Sequence, residues 1–585
     1  MRNLHDSLRR HVAEKIQTAL SSFELSPVPS LEELYNQLVE PPQPEMGDLA
    51  FGCFILSKTL KQSPAAVAQK LATSIPDCAE FSKVQALGPY LNFIFTEDFM
   101  GQNFLSLVCN GQLFQQKLTH SNPKTMIEFS QPNTHKELHV GHMRNLCLGD
   151  AIVRLLRYAN YPVITSTFPG DVGTHVAKCL WYLKFHNKEE IPSTGRGEWL
   201  GQIYSKAHLQ LEDEVGTPQE AENRAQLTMI LKQLEAHQGE YYELWKETRQ
   251  WSIELMKSTY AWAGVEFDQW YWESDVDAAS VQFARQCFQE GKLIQSEGAI
   301  GMDLSADNLG FCLLLKSDGT GLYATKDVEL ARRKFQDHHI EKSLYVVDAR
   351  QALHFKQVFR VLEILGFPQA KDCHHLQYNF VELPDGAMSS RKGNIVPIMK
   401  LVSAMETTIR EQFLSRYAEN WTEEELKKVA HQVAQGAIKY GMLRMDSNKK
   451  IVFDMKEWLR IDGESGPFIQ YSHARIESLL RKLEYQSSEK VDWSLLSTVY
   501  EHRLIQHLMH FQNTVMLAAE GYKPSAVCTY LYETAKKFNL FYHECPIAGA
   551  SSTELRNARL ALSAATGAIL RQGLGLLGIP APERM

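Results

Sequence analysis

One stretch of the chain is dense in histidine, asparagine and glycine: Glu128-Phe-Ser-Gln-Pro-Asn-Thr-His-Lys-Glu-Leu-His-Val-Gly-His-Met-Arg144. It leaves an apolar, strand-like run and enters a helix-like one. A helix N-terminus offers unpaired N–H donors and a partial positive charge, which together favour an anion. His139 and His142, a turn apart, can donate to phosphate oxygens whose charge grows in a transition state. Gly141 has no Cβ to keep a ligand ring off the backbone. The combination suits a triphosphate. Two plainer readings stand beside it. His135 and His139 have the spacing of helical zinc ligands, but H-E-x-x-H is missing and no acidic third ligand is signalled nearby, so no metal site is expected. The histidines can also serve as core or capping groups.

A second candidate lies far downstream, in Pro384-Asp-Gly-Ala-Met-Ser-Ser-Arg-Lys-Gly-Asn394. Gly386 and Gly393 bracket a loop that carries Met388, two hydroxyls (Ser389 and Ser390) and two adjacent cations (Arg391 and Lys392). Such a loop can close over a pyrophosphate leaving group. It lacks the Walker pattern G-x-x-x-x-G-K-[ST]. A solvated surface turn is the alternative.

These residues need a frame, and the hydrophobic pattern supplies one. From Lys124 strands and helices alternate: strands at Thr125–Ser130, Pro162–Phe168, Phe311–Lys316, Ser343–Val347 and Leu376–Leu383, with helices at Val140–Tyr158, Thr174–Phe185, Asp327–Asp337 and Phe355–Leu365. Alternation of this kind predicts a Rossmann-like parallel sheet covered on both faces, with ligands at the carboxyl ends of its strands. The first strand and the last then carry the two candidate sites. Gln219–Ala263 is helical in pattern and reads as an insertion into the sheet domain, which spans 116–400. Residues 1–115 read as a small α+β domain, and 401–585 as an all-α, bundle-like domain.

Composition bounds the rest. The 585 residues are 44% hydrophobic and 22% charged, which excludes disordered and collagen-like chains. No apolar run of about 18 residues occurs, so no membrane span is expected. The ten cysteines form no C-x₂-C pair, as in a reduced, cytoplasmic protein. Leu4, Leu8, Val12, Ile16 and Leu20 recur as on one helix face, which favours a folded first helix over a targeting segment. The formal charge is −8, unevenly spread: residues 401–585 hold 22 Lys and Arg against 21 Asp and Glu, so the acidic excess lies in residues 1–400.

H-x-G-H after the first strand and Met388-Ser-Ser-Arg-Lys-Gly-Asn394 after the last resemble the signatures of class I aminoacyl-tRNA synthetases. Ser130–Asn145, Gly170-Asp-Val-Gly-Thr174, Gly321-Leu-Tyr-Ala-Thr-Lys-Asp327, Val346–Phe355, Gln470-Tyr-Ser-His-Ala-Arg475 and the C-terminal Asn557–Met585 narrow the resemblance to the arginyl-tRNA synthetase family. The likeness is collinear over nearly the whole chain, and its last segment is similar to the DALR anticodon-binding helices.

The resemblance implies ATP as substrate with Mg²⁺, L-arginine, and tRNA(Arg) as partner, in a cytoplasmic, monomeric enzyme with no tightly bound prosthetic group. It assigns Glu128, Tyr323 and Asp327 to the arginine side chain, and Asn133 and Gln351 to its backbone end. Physically, a pocket that buries a guanidinium needs fixed carboxylates. Asp327 reads equally well as a helix N-cap, whereas a carboxylate such as Glu128 inside an apolar strand should face a cleft. His139, Gly141, His142 and Met388 fall to ATP. Both lysines of the family's K-M-S-K-S loop are missing from Ala387–Arg391, and the resemblance implies that Lys136 takes over, with Arg391 or Lys392 helping. Val172 stands where the family more often has Trp.

For tRNA, the resemblance points to Tyr90 and Asn92 at the elbow and to Tyr471, His473 and Arg475 near the anticodon. Tyr90 also reads as part of a turn before a core strand, and Arg559 reads as a packed helix residue rather than a base contact. Two other classes compete: a catalytically silent tRNA-binding paralogue, prompted by the altered loop, and a small-molecule nucleotidyltransferase, which the large helical domain disfavours.

Overall fold

The computed structural model describes residues 4–23, 25, 27–119, 121–383, 386–387, 396–487 and 490–585. Cα packing divides the chain into two units. One comprises Ser121–Arg157 and Tyr161–Leu459; the other comprises Met1–His120, Tyr158–Asn160 and Arg460–Met585.

The first unit is built on a five-stranded sheet in the order Cys373–Tyr378, Lys342–Asp348, Thr125–Glu128, Val163–Thr167, Gln269–Trp270. Every neighbouring pair is parallel. The strands are short runs rich in β-branched and apolar residues; all four residues of Thr125–Glu128 are buried, as expected where helices cover both faces. Strand order reverses beside Thr125–Glu128, and such a switch point opens a crevice at the carboxyl ends. The helices Val140–Tyr158 and Thr174–Phe185 follow the expected bounds.

Phe311–Leu315, expected in this sheet, belongs instead to a separate antiparallel meander with Ile294–Ser296 and Ala299–Asp303. Its two partners are short and joined by the tight turn Glu297-Gly298, and antiparallel pairing needs no crossover helix. The helical insertion is larger than the expected 219–263. Helices Arg196–Asp213, Gln219–Glu235 and Glu240–Ala263 pack on Thr174–Phe185, with Trp181, Ile230, Leu234, Tyr241 and Trp245 in a common core. Val172 packs against that core.

Helices Ile398–Ile409 and Glu423–Leu443, which the sequence pattern places in the C-terminal domain, lie in the sheet unit. Buried Lys439 donates to Ala263 O at 2.5 Å and stands 3.5 Å from Asp150. Ile451–Val452 forms a parallel bridge to Val381–Leu383. Helical periodicity shows that one face is buried but not against which neighbour.

The other unit holds the antiparallel sheet Leu38–Val39, Leu49–Gly52, Tyr90–Phe95, Phe81–Leu87, and the helices beyond residue 460. The expected single helix Leu495–Leu517 is two, Val499–Met509 and Phe511–Gly521. His502 bridges Glu97 at 2.9 Å and Asp48 at 3.3 Å, and so ties the two parts of this unit together. Arg559 donates to Glu501 and to Pro546 O, both at 2.7 Å, and is 7% exposed, which is the packed role.

Candidate active site

A cavity of about 510 Å³ opens at the carboxyl ends of Thr125–Glu128 and Lys342–Asp348. Glu128, Asn133, His142, Tyr323, Asp327 and Gln351 all line it, although they come from three separate chain segments. Tyr323 is the first residue of the Tyr323–His338 helix, so Asp327 stands one turn in and is not the N-cap; Leu322 holds that place. Tyr323 is 63% exposed at the mouth. Asn133 forms a bridge to Gly170, and a Cβ on Gly170 would come within 2.4 Å of Asn133 Oδ1.

Each acid in the lining has a partner. Glu128 accepts from the fully buried Lys334, and from Gln131 Nε2 at 3.2 Å. Asp327 accepts from His354 Nε2 at 2.6 Å. Burial opposes a charge on that imidazole, but the Asp327 bond and charge outweigh it and raise His354 above its usual range. A third acid, Glu273, was not singled out from sequence. It lies 3.2 Å from Lys326, and burial pushes it up to about 7 against the pull of Lys326, with Asp171 and Asp327 adding to the rise. Nothing in the spacing marks Glu273; the only local signal is an acid that follows the aromatic run Trp270-Tyr-Trp272 and opens a helix.

On the other side, the rings of His139 and His142 lie tilted by 36° with centroids 4.0 Å apart. His139 N donates to His142 Nδ1 and Gly141 N donates to His139 Nδ1, both at 3.1 Å. A Cβ on Gly141 would stand 2.9 Å from the His139 ring, so the glycine makes room first for that histidine. Burial lowers His139 to about 4 and puts His142 well below its usual range; Lys136 adds to both shifts and Arg350 to the first. Both are therefore neutral near pH 7, each with one N–H to donate. The Lys136 ammonium lies 5.1 Å over the Tyr204 ring. His135 is a core residue, bonded to Thr134 and Thr248 at 2.9 and 2.8 Å. Among the described residues no cluster of three or more His, Cys, Asp or Glu could hold a metal ion.

Met388, Ser389, Ser390, Arg391 and Lys392 lie outside the described residues. The chain that follows them returns to the histidines: Pro397 bridges His139, Val140 N donates to Val396 O at 3.3 Å, and Ile398 N donates to Leu138 O at 3.0 Å. Val396–Ile398, which follow the second signature in sequence, thus meet the first.

The tRNA candidates lie in the other unit. Tyr90 is 38% exposed and packs edge-on against Phe54. Asn92, by contrast, is buried although it shares the strand face of Tyr90, the core side being taken by Leu91, Phe93 and Phe95, and it turns its amide back to Tyr90 O at 3.3 Å. Arg475 lies 5.1 Å over the Tyr471 ring and donates to Asn539. His473 is wholly buried against Pro582 O and faces no solvent.

Family models match in the same order along the chain: an arginyl tRNA synthetase N-terminal domain over residues 6–95, the class I (R) tRNA synthetase catalytic domain over 103–455, and a DALR anticodon-binding domain over 469–585. Arginine–tRNA ligase of Bdellovibrio bacteriovorus is 59% identical, covering 99% of this chain and all of its own. The ligase of Clostridium perfringens is 34% identical over the same shares. Among solved structures, Thermus thermophilus arginyl-tRNA synthetase superposes with a TM-score of 0.78 at 27% identity, covering 99% of this chain and 100% of that one. With these matches running from end to end over the sheet, the cavity and the flanking domains, the chain belongs to the arginyl-tRNA synthetase family of class I aminoacyl-tRNA synthetases.

Proposed function

We propose that the chain activates L-arginine with ATP and transfers the arginyl group to the 3′-terminal adenosine of tRNA(Arg), releasing pyrophosphate and AMP. The observation that carries this reading is one cavity with an acidic wall (Glu128, Glu273, Asp327) and, from a helix N-terminus, His142, on which His139 packs. A guanidinium is planar and always charged, and a wall of fixed carboxylates is what holds it. Asp327, Glu273 and the Tyr323 phenol receive the guanidinium. Glu128, bonded to Lys334, completes the same carboxylate wall, and Asn133 and Gln351 take the backbone end of the amino acid.

The arginine carboxylate then attacks the α-phosphorus, and a ribose hydroxyl of the tRNA attacks the resulting mixed anhydride. Neither step needs a protein nucleophile, so rate comes from positioning and charge stabilisation. His139 and His142 donate to the phosphates; Lys136 and the Ser389–Lys392 loop stabilise the departing pyrophosphate. ATP enters as its Mg²⁺ complex, the ion belonging to the substrate. Tyr90 meets the tRNA elbow and the Tyr471–Arg475 face meets the anticodon arm. The enzyme acts as a cytoplasmic monomer.

The test is charging with arginine, ATP and tRNA(Arg). Folded protein that binds the tRNA but yields no arginyl-tRNA would instead be a silent binder. Adenylyl transfer that ignores tRNA would make it a small-molecule enzyme.

A further inference from the structure

The helix Glu240–Ala263 of the insertion lays an unusual stripe against the cavity walls. Trp245, Thr248, Arg249 and Ser252 recur at helical spacing on one face, and each grips a segment that forms the amino-acid side of the site. Thr248 Oγ1 meets His135 Nε2 at 2.8 Å, and Ser252 Oγ accepts from His135 N at 2.9 Å, just beyond Asn133. Trp245 Nε1 donates to Asp171 O at 2.7 Å. Arg249 Nε donates to Asp171 Oδ2 at 2.7 Å, and its guanidinium lies 4.0 Å over the Trp272 ring.

Asp171 is completely buried, and its carboxylate does a second thing. Oδ1 accepts from Ser274 N at 2.9 Å and Oδ2 accepts from Ser274 Oγ at 2.7 Å. It therefore caps the first turn of the Glu273–Gln289 helix from another element, directly beside Glu273. The fit leaves little slack, since a Cβ on neighbouring Gly170 would stand 3.2 Å from Glu273 Oε1. A wholly buried carboxylate of this kind depends on its paired cation.

We infer that Arg249, which does not line the cavity, is a positioning residue for amino-acid recognition: through Asp171 and Ser274 it fixes the Glu273 carboxylate, so the insertion sets arginine affinity. This rests on Glu273 receiving the guanidinium, as proposed above. The charged groups facing Glu273 are Lys326, which Asp277 also holds at 3.4 Å, together with Asp171 and Asp327. Without Arg249, the charge of Asp171 acts on Glu273 uncompensated and makes its ionisation harder.

The experiment is steady-state charging by the full chain with saturating tRNA, comparing Arg249→Gln, Ser274→Ala and Glu273→Gln. Arg249→Gln should raise KM for arginine at least tenfold while KM for ATP stays within twofold. It should also move the acid limb of kcat/KM for arginine to higher pH. An unchanged arginine KM, an equal rise for both substrates, or an unmoved acid limb overturns the inference. If Arg249→Gln does not fold, Ser274→Ala carries the test, because it keeps the Arg249–Asp171 pair and removes one bond. About a threefold, arginine-specific rise supports the inference, and no rise overturns it. Glu273→Gln separates the two levels. If it leaves arginine KM untouched, the reading of the pocket fails; if it raises KM while Arg249→Gln does not, only the positioning role fails.

Discussion

At the acidic end of the cavity every carboxylate has a basic group beside it: Lys334 for Glu128, Lys326 for Glu273, His354 for Asp327. At the opposite end, His139 and His142 are held neutral by burial, with Lys136 opposing their protonation. The difference follows from the charge each end must receive. A desolvated carboxylate without a cation tends to protonate, so a wall that awaits a guanidinium needs interim partners to remain ionised. A wall that awaits a polyanion works with neutral N–H donors, which carry no charge that must be desolvated before the ligand arrives. One end is organised around ion pairs that the substrate must share; the other is organised around dipoles and two nearby cations, Lys136 and Arg350.

The largest effect should come from breaking the acidic end. Asp327→Ala removes the carboxylate that would meet the guanidinium and leaves His354 without its 2.6 Å acceptor. Stranding a buried charge costs about 3–5 kcal/mol, so kcat/KM for arginine should fall on the order of a thousandfold in charging assays. tRNA affinity in a filter-binding assay should stay within twofold. Loss of both together would make Asp327 a structural partner of His354 and nothing more.

At the neutral end the expected loss is smaller, because hydrogen-bond donors to a developing charge are worth roughly a hundredfold each in rate. His142→Ala should lower kcat by about that factor while arginine binding, read by equilibrium dialysis, is kept. A comparable loss of arginine affinity would mean that the two ends are not separate.

pH should tell the ends apart without mutation. Glu273 is an acid raised to about 7, so it is ionised above that pH and gains a proton as pH falls through it. kcat/KM for arginine should therefore decline below pH 7, by at most about tenfold per unit. His139, lowered to about 4, does not change charge between pH 5 and 8, so KM for ATP should stay flat there. Glu273→Gln should abolish the acid limb. A limb that persists in that variant would assign it to another group.

Much of this was legible in the sequence, for a physical reason. Val140–Tyr158 and Thr174–Phe185 declare themselves because helical periodicity is local, and Glu128 because a carboxylate in an apolar strand demands a cleft. What was hidden is the partnership between distant residues. Lys334 beneath Glu128, Lys326 beside Glu273 and Arg249 on Asp171 are joined only by the fold. Phe311–Leu315 has the pattern of a buried strand whichever sheet it joins. Asn92 shares the strand face of exposed Tyr90, and its burial comes from distant chain near Gly47, which local pattern does not reveal.

The smallest predicted effect concerns the cation of the neutral end. Lys136 lies over the Tyr204 ring at 5.1 Å, on a helix pressed so close that a Cβ on Gly201 would stand 2.6 Å from Glu137 N. A ring attracts an ammonium by about 0.5–1 kcal/mol at a partly open site, much less than a buried carboxylate does. Lys136→Ala should depress tRNA-dependent pyrophosphate exchange if this lysine replaces the missing loop cation. Unchanged exchange would pass that duty to Arg391 or Lys392. Tyr204→Leu should then cost only about two- to fivefold, and Tyr204→Phe, which keeps the ring, should cost less. If Tyr204→Leu matched Lys136→Ala, the ring would be more than a resting place, and the neutral end would prove as tightly paired as the acidic one.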